Sequence, residues 1–372
     1  MKNHSTTRYL FFPFFLILIF TGVLFYTSFN APTTAYKASI YTPQEEYEAL
    51  SLQRLLGQSI IMGIQGTTLT QEERNIITTY GIGGIILLEK NISSEQQLTT
   101  LISNIQTLAH EHNLPSLFIA IDQEGGHISR IQTDPTYEIS QSDITTLDDA
   151  YTTAYTRGTY LYNLGVTMNF SPVIDPITTK DSFLWDRVFH TPLEKRITLG
   201  ARMIEGYRDA HITPVLKHFP GHDNTSLDTH EHISYSFPLK TEYTQHFSSL
   251  FAQTYVPAIM MSHTIPQTET LPATLSHTAL SYLKHELLYT GLTITDDLEM
   301  SALSSFSPKE RSLKALQAGV DILLLSGYQY NSAVHEDIFS YLVSELSLRE
   351  DLQTSLHTRY KKITSYKEKH LP

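Results

Sequence analysis

The chain has 372 residues, 41% of them hydrophobic and 17% charged, with a formal charge of −12, which suits one large α/β barrel or two ordinary domains. With no cysteine it excludes disulfides, a thiolate nucleophile, a thiolate zinc site and lipidation through a Cys. The acidic balance supplies no basic face for nucleic acid and argues against holding a strongly anionic polymer by charge alone.

The N-terminus differs from the rest. Lys2 and Arg8 are the only charges among residues 1–36, so the remainder holds 24 basic against 38 acidic residues. Residues 9–29 are almost wholly apolar, and about 20 such residues span a bilayer. Because the positive charges precede this run, the short N-terminus stays inside and the body is exported. Ala31 and Ala35 offer the small residues of a signal-peptide cleavage site, but the run exceeds a usual signal core, which favours an uncleaved anchor. Residues 1–40 therefore read as a signal anchor or signal peptide with a linker, and 41–372 as the functional domain. The expected location is the extracytoplasmic (periplasmic) side of an inner membrane, touched through the N-terminal segment only, or outside the cell if the leader is cleaved.

From there, apolar β-branched runs alternate with helical patterns. Strands are predicted at 59–64, 82–88, 116–121, 166–174, 212–216, 258–261, 292–295 and 320–325. Helices are predicted at 44–56, 71–80, 94–112, 148–164, 193–210, 240–251, 277–288 and 309–318, with closing helices over 334–369. Ser94 and Asp148 suit helix N-termini, and Gly291 and Gly319 sit where helices hand over to strands. Short continuous apolar strands separated by helices imply parallel strands covered on both faces. Eight such units point to a single (β/α)8 barrel of the TIM type, with a doubly wound open sheet as the alternative.

In a barrel, chemistry sits on the loops at the C-terminal ends of the strands. The polar clusters fall there: Asp122-Gln123-Glu124-Gly125-Gly126 through Arg130 after the third strand, Asp175 and Trp185-Asp186-Arg187 after the fourth, and Ser262-His263 after the sixth. The seventh ends in Thr295-Asp296-Asp297-Leu298-Glu299-Met300. The densest stretch, residues 217–232, follows the fifth and is read as a loop, with Pro220-Gly221 turning between two polar clusters. It carries four histidines, two aspartates and a lysine.

A carboxylate at the end of a buried strand costs free energy unless a partner or a task explains it. Asp296 reads as a nucleophile able to form a covalent intermediate; the bland alternative has one of Asp296 and Asp297 capping a following helix. Asp228 two residues before His230 orients the ring and favours its protonated form, giving a general acid and then base. Alone, that spacing is common by chance. Trp185 reads as packing rather than as a sugar platform, Glu124 as holding the Gly125-Gly126 turn, and His222, His232 and His263 equally as structural groups or ligands.

Taken together, Ile121-Asp122-Gln123-Glu124-Gly125-Gly126, Lys217-His218-Phe219-Pro220-Gly221-His222 with Asp228-Thr229-His230, Met261-Ser262-His263, Pro272-Ala273-Thr274-Leu275-Ser276 and Thr295-Asp296-Asp297-Leu298-Glu299-Met300 resemble the β-N-acetylhexosaminidase branch of the family 3 glycoside hydrolases. They run in family order over most of residues 45–330. The resemblance implies a (β/α)8 domain that removes terminal N-acetylglucosamine with retention, with Asp296 as nucleophile and His230, supported by Asp228, as acid/base. It implies sugar-binding roles for Asp122, Arg130, Arg187, Lys217 and His218, and neither metal nor cofactor. Retention requires the two reacting groups close together, about 5 Å for a pair of carboxylates. Three positions depart from the pattern: His127 replaces an Arg, Asp223-Asn224 replaces Gly-Asp, and Thr229 replaces Ser. They leave the nucleophile and dyad intact.

The expectation is a retaining exo-β-N-acetylglucosaminidase acting on cell-wall or amino-sugar fragments. The rivals are a metal-dependent hydrolase on the same barrel using His218, His222, His230 and His232, a non-catalytic sugar-binding module, and the same fold acting on glucose or xylose.

Overall fold

The computed structural model describes residues 51–132, 138–222, 234–267, 269–327, 329 and 331–372. Eight parallel strands form one sheet: β1 (Ile60–Gly63), β2 (Gly84–Leu87), β3 (Phe118–Ile121), β4 (Met168–Asn169), β5 (Thr213–Phe219), β6 (Ala258–Met261), β7 (Leu292–Thr295) and β8 (Leu323–Leu325). From β1 to β7 each pairs with the next in sequence, and β8 pairs with β1 in the register Ile60↔Leu323. The remaining seam, between β7 and β8, is bridged at Ile294↔Ile322. There the Thr295 hydroxyl accepts the Leu324 N–H at 2.9 Å, where a ladder carbonyl would otherwise serve. The ring is thus a (β/α)8 barrel, as the strand pattern predicts. A short ribbon pairs Tyr235–Ser236 with Ile265–Pro266.

Helix α1 (Leu52–Gln58) precedes β1. After each strand in turn come α2 (Gln71–Tyr80), α3 (Glu95–Glu111), α4 (Leu147–Asn163), α5 (Leu193–Asp209), α6 (Glu242–Gln253), α7 (His277–Ser281), α8 (Pro308–Ala318) and α9 (Ser332–Ser347); α10 (Glu350–His370) closes the chain. Local chemistry sets their ends. Thr70 and Ser307 each accept from the N3 backbone while the N3 glutamate reaches back, a reciprocal cap on α2 and α8. Ser94 caps α3, whereas α4 is capped by Thr146, so Asp148 lies in its first turn and favours it through the helix dipole. Gly319 ends α8 at φ 101°, a left-handed conformation open to glycine.

The two faces of the strands explain their continuous apolar runs. Ile61, Ile86, Phe118, Ala120, Met168, Val215, Ala258, Met260, Ile294 and Leu324 point inward and fill the barrel. Their neighbours Ile60, Met62, Ile85, Ile119 and Ile121 face outward against the helices. Each of the Ile, Leu, Val, Met and Phe side chains contributes about 1.5–3 kcal/mol when fully buried. The N-terminal end is sealed by α10, whose Ile363 joins the interior cluster. Its Lys367 ammonium donates to Gln58 Oε1 at 2.8 Å and to the Gly83 carbonyl at 2.6 Å.

Two boundaries differ from the sequence expectation. The fourth apolar run holds only two residues of regular strand. The fifth strand runs on to Phe219, which pairs with Met261, so Lys217 and His218 belong to the strand and not to the following loop. Polar residues are accommodated there because the strand end enters the site. Residues 1–50, the predicted leader among them, lie outside the described residues; among the described residues no helix is long and apolar enough to cross a membrane.

Gly63, the last residue of β1, abuts the loop after β8 so closely that an added Cβ would sit 1.6 Å from the Ser326 carbonyl oxygen. Backbone cannot yield as a side chain does. Gly63→Ala is expected to lower stability by about 1–3 kcal/mol, read as a reduced urea midpoint at unchanged slope; an unchanged midpoint would show that the two loops are not packed this way.

Candidate active site

A cavity of about 1170 Å³ opens at the C-terminal ends of the strands, floored by Ile86, Phe170, Met260 and Leu324 from the top of the barrel interior. Asp122, Arg130, Arg187, Lys217, His218 and Asp296 all line it. Asp228 and His230, the predicted dyad, lie outside the described residues, as does His232.

The wall from β3 to β5 is a network of charges. Lys217 reaches Asp122 Oδ1 at 2.8 Å and Glu124 Oε1 at 2.6 Å. Arg187 grips Glu124 with both arms, Nε to Oε2 at 2.9 Å and Nη2 to Oε1 at 2.8 Å, the planar two-point geometry that Arg offers a carboxylate. Arg130 stands 3.7 Å from Asp122 Oδ2. Burial would raise the Glu124 carboxyl, but Arg187 and Lys217 hold it at about 2. Burial likewise opposes the charge of Lys217, and Asp122 and Glu124 override it, raising its pKa. The loop carrying these groups is pinned by further hydrogen bonds. Asn169 exchanges two hydrogen bonds with the Gln123 backbone, and Gln123 Oε1 accepts from the N–H groups of Arg130 and Ile131. Arg157, from α4, donates to the Glu124 and Ile139 carbonyls at 2.7 Å each.

Beside this wall Asp175 is wholly buried and collects four donors. Its Oδ2 accepts the His218 N–H at 3.1 Å and Nδ1–H at 2.8 Å; its Oδ1 accepts the same pair from His222 at 2.7 and 2.9 Å. Burial would raise its pKa, but the two imidazoles hold the carboxyl well below its usual range, while burial lowers His218 despite Asp175. An ionised carboxylate accepts, so both rings turn Nδ1–H toward it. Asp175, His218 and His222 place possible ligand atoms within 4.8 Å of one another. With a backbone N–H and an imidazole on each oxygen, the carboxylate clamps the two rings together.

The far wall comes from β6 to β8. Asp296 follows β7 directly, its N–H on the Met261 carbonyl, and its Oδ1 accepts the Asp297 N–H at 2.8 Å. His263 donates from Nε2 to the Asp297 carbonyl at 2.8 Å, and burial lowers its pKa while Asp296 opposes this. Asp297 caps no helix, contrary to the bland sequence reading: its carboxylate bonds the Ser326 N–H and hydroxyl on the loop after β8.

Several residues carry more here than their sequence reading allowed. Glu124 is no turn support; it is the shared partner of Arg187 and Lys217. Asp175, Glu299 and His335 received no role from sequence. For Asp175 and Glu124 a signal existed, an acid at or just beyond the end of a buried apolar run; for the contact of Glu299 with His335, 36 positions apart, none did. Trp185 packs as expected, stacked on His190 at 4.1 Å between ring centroids and joined to the Val173–Val188 cluster.

The chain's likeness to known proteins agrees with this layout. The model of the glycosyl hydrolase family 3 N-terminal domain matches residues 51–364. A beta-hexosaminidase of Alkalilimnicola ehrlichii is 32% identical over 290 residues, covering 74% of this chain and 82% of that protein. Among solved structures, a glycoside hydrolase family 3 beta-N-acetylglucosaminidase from a Paenibacillus species superposes with a TM-score of 0.78 at 28% identity. That match covers 86% of this chain but 63% of the longer Paenibacillus chain. A family 3 glycosyl hydrolase of Mycobacterium smegmatis gives 0.72 at 27% identity, covering 85% of this chain and 98% of its own.

The Glu124 carboxylate also predicts an acid response. Its pKa falls from the ordinary 4.5 to about 2 on folding. The stability it brings is therefore complete above about pH 4.5 and lost as pH falls through about 2, a contribution of roughly 3 kcal/mol. Urea unfolding of wild type between pH 6 and pH 2 is expected to show this slope, and Glu124→Gln to lack that part of it. Equal slopes would contradict the pairing.

Proposed function

The chain belongs to glycosyl hydrolase family 3 and is a glycoside hydrolase; from that premise we propose that it is a retaining exo-β-N-acetylglucosaminidase acting on cell-wall or amino-sugar fragments. The observation that carries this reading is that Asp296 lines the same cavity as Asp122, Arg130, Arg187, Lys217 and His218. The names of the beta-hexosaminidase and beta-N-acetylglucosaminidase relatives support the choice of sugar.

In this reading the sugar's hydroxyls and acetamido group bond Asp122, Arg130, Arg187, Lys217 and His218. The three cations are balanced by Asp122, Glu124 and Asp296, which suits an uncharged sugar whose transition state gains positive charge. Asp296 attacks C1 as the bond to the leaving oxygen breaks, and His230, oriented by Asp228, donates its proton to that oxygen. His230 then draws a proton from water, whose oxygen attacks C1 and releases Asp296. The negative charge of Asp296 stabilises the oxocarbenium-like state on both sides of the intermediate.

The same proposal puts the catalytic domain outside the cytoplasm, held by the leader or released on its cleavage. The apolar run at 9–29, with Lys2 and Arg8 ahead of it, supports this.

The purified protein is expected to cleave aryl β-N-acetylglucosaminide in preference to the β-glucoside and β-xyloside, equally with and without chelator. NMR should show the β-anomer of N-acetylglucosamine as first product. Asp296→Asn should lose at least about a thousandfold in kcat/KM. Binding without turnover would select the sugar-binding module, and loss of activity with chelator the metal-dependent hydrolase.

A further inference from the structure

Three carboxylates stand within four residues on the loop after β7, namely Asp296, Asp297 and Glu299, and the chemistry proposed above uses one. The other two turn to the loop after β8. Asp297 Oδ1 accepts the N–H groups of Glu299 and Ser326, each at 3.1 Å, and its Oδ2 accepts the Ser326 hydroxyl at 2.5 Å. Glu299, only 1% exposed, accepts the Gly327 N–H at 2.8 Å and the Gln329 N–H at 2.7 Å. Its third donor is Nε2 of His335, at 2.8 Å from α9. His335 is itself wholly buried, with no bonding partner at Nδ1 among the described residues. A carboxylate buried this deeply beside two others carries a desolvation and repulsion cost that packing alone does not require.

What the pair holds in place bears on the site. Ser326 and Gln329 line the cavity with Asp296, and the Asp297 N–H that steadies Asp296 Oδ1 belongs to the residue tied to Ser326. Other groups grip the backbone of the β7 loop: His263 from the β6 loop bonds the Asp297 carbonyl, and Arg311 from α8 the carbonyls of Leu298 and Met300. Glu299 alone among these joins the β7 loop to two backbone N–H groups of the β8 loop and to a helix behind it.

We propose that Glu299, held by His335, is a positioning residue that clamps the β8 loop to the β7 loop and so keeps the Asp297 N–H on the Asp296 carboxylate in the orientation for attack. This rests on the reading of Asp296 as nucleophile. The charge distribution fits the role. Burial and the neighbouring Glu299 push the Asp297 carboxyl up to about 7, whereas Glu299, which burial would raise, is lowered by His335 and the backbone donors. Of the two, Asp297 is thus the carboxyl that keeps a proton to higher pH, and it faces Asp296 and Glu299 on its own loop, His263 from the β6 loop, Ser326 from the β8 loop and, past the flanking carbonyls, Arg311.

The test uses the full chain with aryl β-N-acetylglucosaminide. Glu299→Gln and His335→Leu are expected to lower kcat about 10–100-fold with KM within about threefold, the signature of a misplaced reacting group. His335→Gln, which keeps an N–H directed at Glu299, should stay within about threefold of wild type. In Glu299→Gln the repulsion that raises Asp297 is gone, so any limb of the kcat profile near pH 7 should move to lower pH. Wild-type kcat in both Glu299→Gln and His335→Leu would overturn the proposal, as would a lower melting temperature with no change in kcat or pH profile. Should Glu299→Gln fail to fold, equal kcat in His335→Gln and His335→Leu would overturn it instead. Asp296→Asn separates the two readings. If it is inactive while Glu299→Gln is normal, only the clamp is lost; if it is active, the nucleophile assignment goes first.

Discussion

An ionised carboxylate removed from water must be surrounded by donors, and at the mouth of this barrel the donors belong to other loops. Asp175 is held by backbone and imidazole N–H groups of His218 and His222, and Glu124 by Arg187 and Lys217. Because each acid sits after one strand and its partners on or beyond another, satisfying the charge fixes the distance between loops. The ladder hydrogen bonds of the β-barrel set the register of the strand ends, and these ionic ties extend that order outward by one layer of side chains. Breaking one partner costs more than the pair contributes, since the remaining ion stays buried without a counter-charge.

The rim divides into two such systems. One runs from β3 to β5 and presents Asp122, Arg130, Arg187, Lys217 and His218 to the cavity. The other joins β6, β7 and β8 through His263, Asp297, Ser326, Glu299 and His335, and presents Asp296. A neutral, hydroxyl-rich ligand bonds to both kinds of wall without displacing their internal pairs, because each donor cation already shares its charge with a carboxylate. That is the physical reason a sugar fits the site better than a free anion would.

Much of this was legible in the sequence because barrel strands are short, apolar on both faces and regularly spaced. Seven of the eight runs fall close to their strands; the run over 166–174 reads longer than the two residues that pair, since Pro172 interrupts the ladder. The strand end at Lys217-His218 was hidden because charged residues near Pro220 read as loop, and only the pairing of Phe219 with Met261 extends the strand. That Asp296, Asp122, Arg130, Arg187, Lys217 and His218 line one cavity was legible from position and from family resemblance. The partners of Glu124, Asp175 and Glu299 were not, because they lie tens of positions away, where no local pattern encodes them. The dyad of Asp228 and His230 was read from sequence and lies outside the described residues.

The central claim is that the acid at the end of β7 is the group that bonds the sugar. Incubation with a 2-fluoro β-glycosyl donor, followed by intact-mass and peptide mapping, tests it directly. The account predicts one added glycosyl group per chain, on Asp296, accumulating as activity falls and released as activity returns. A label on any other residue, or inactivation with no covalent adduct, would contradict it.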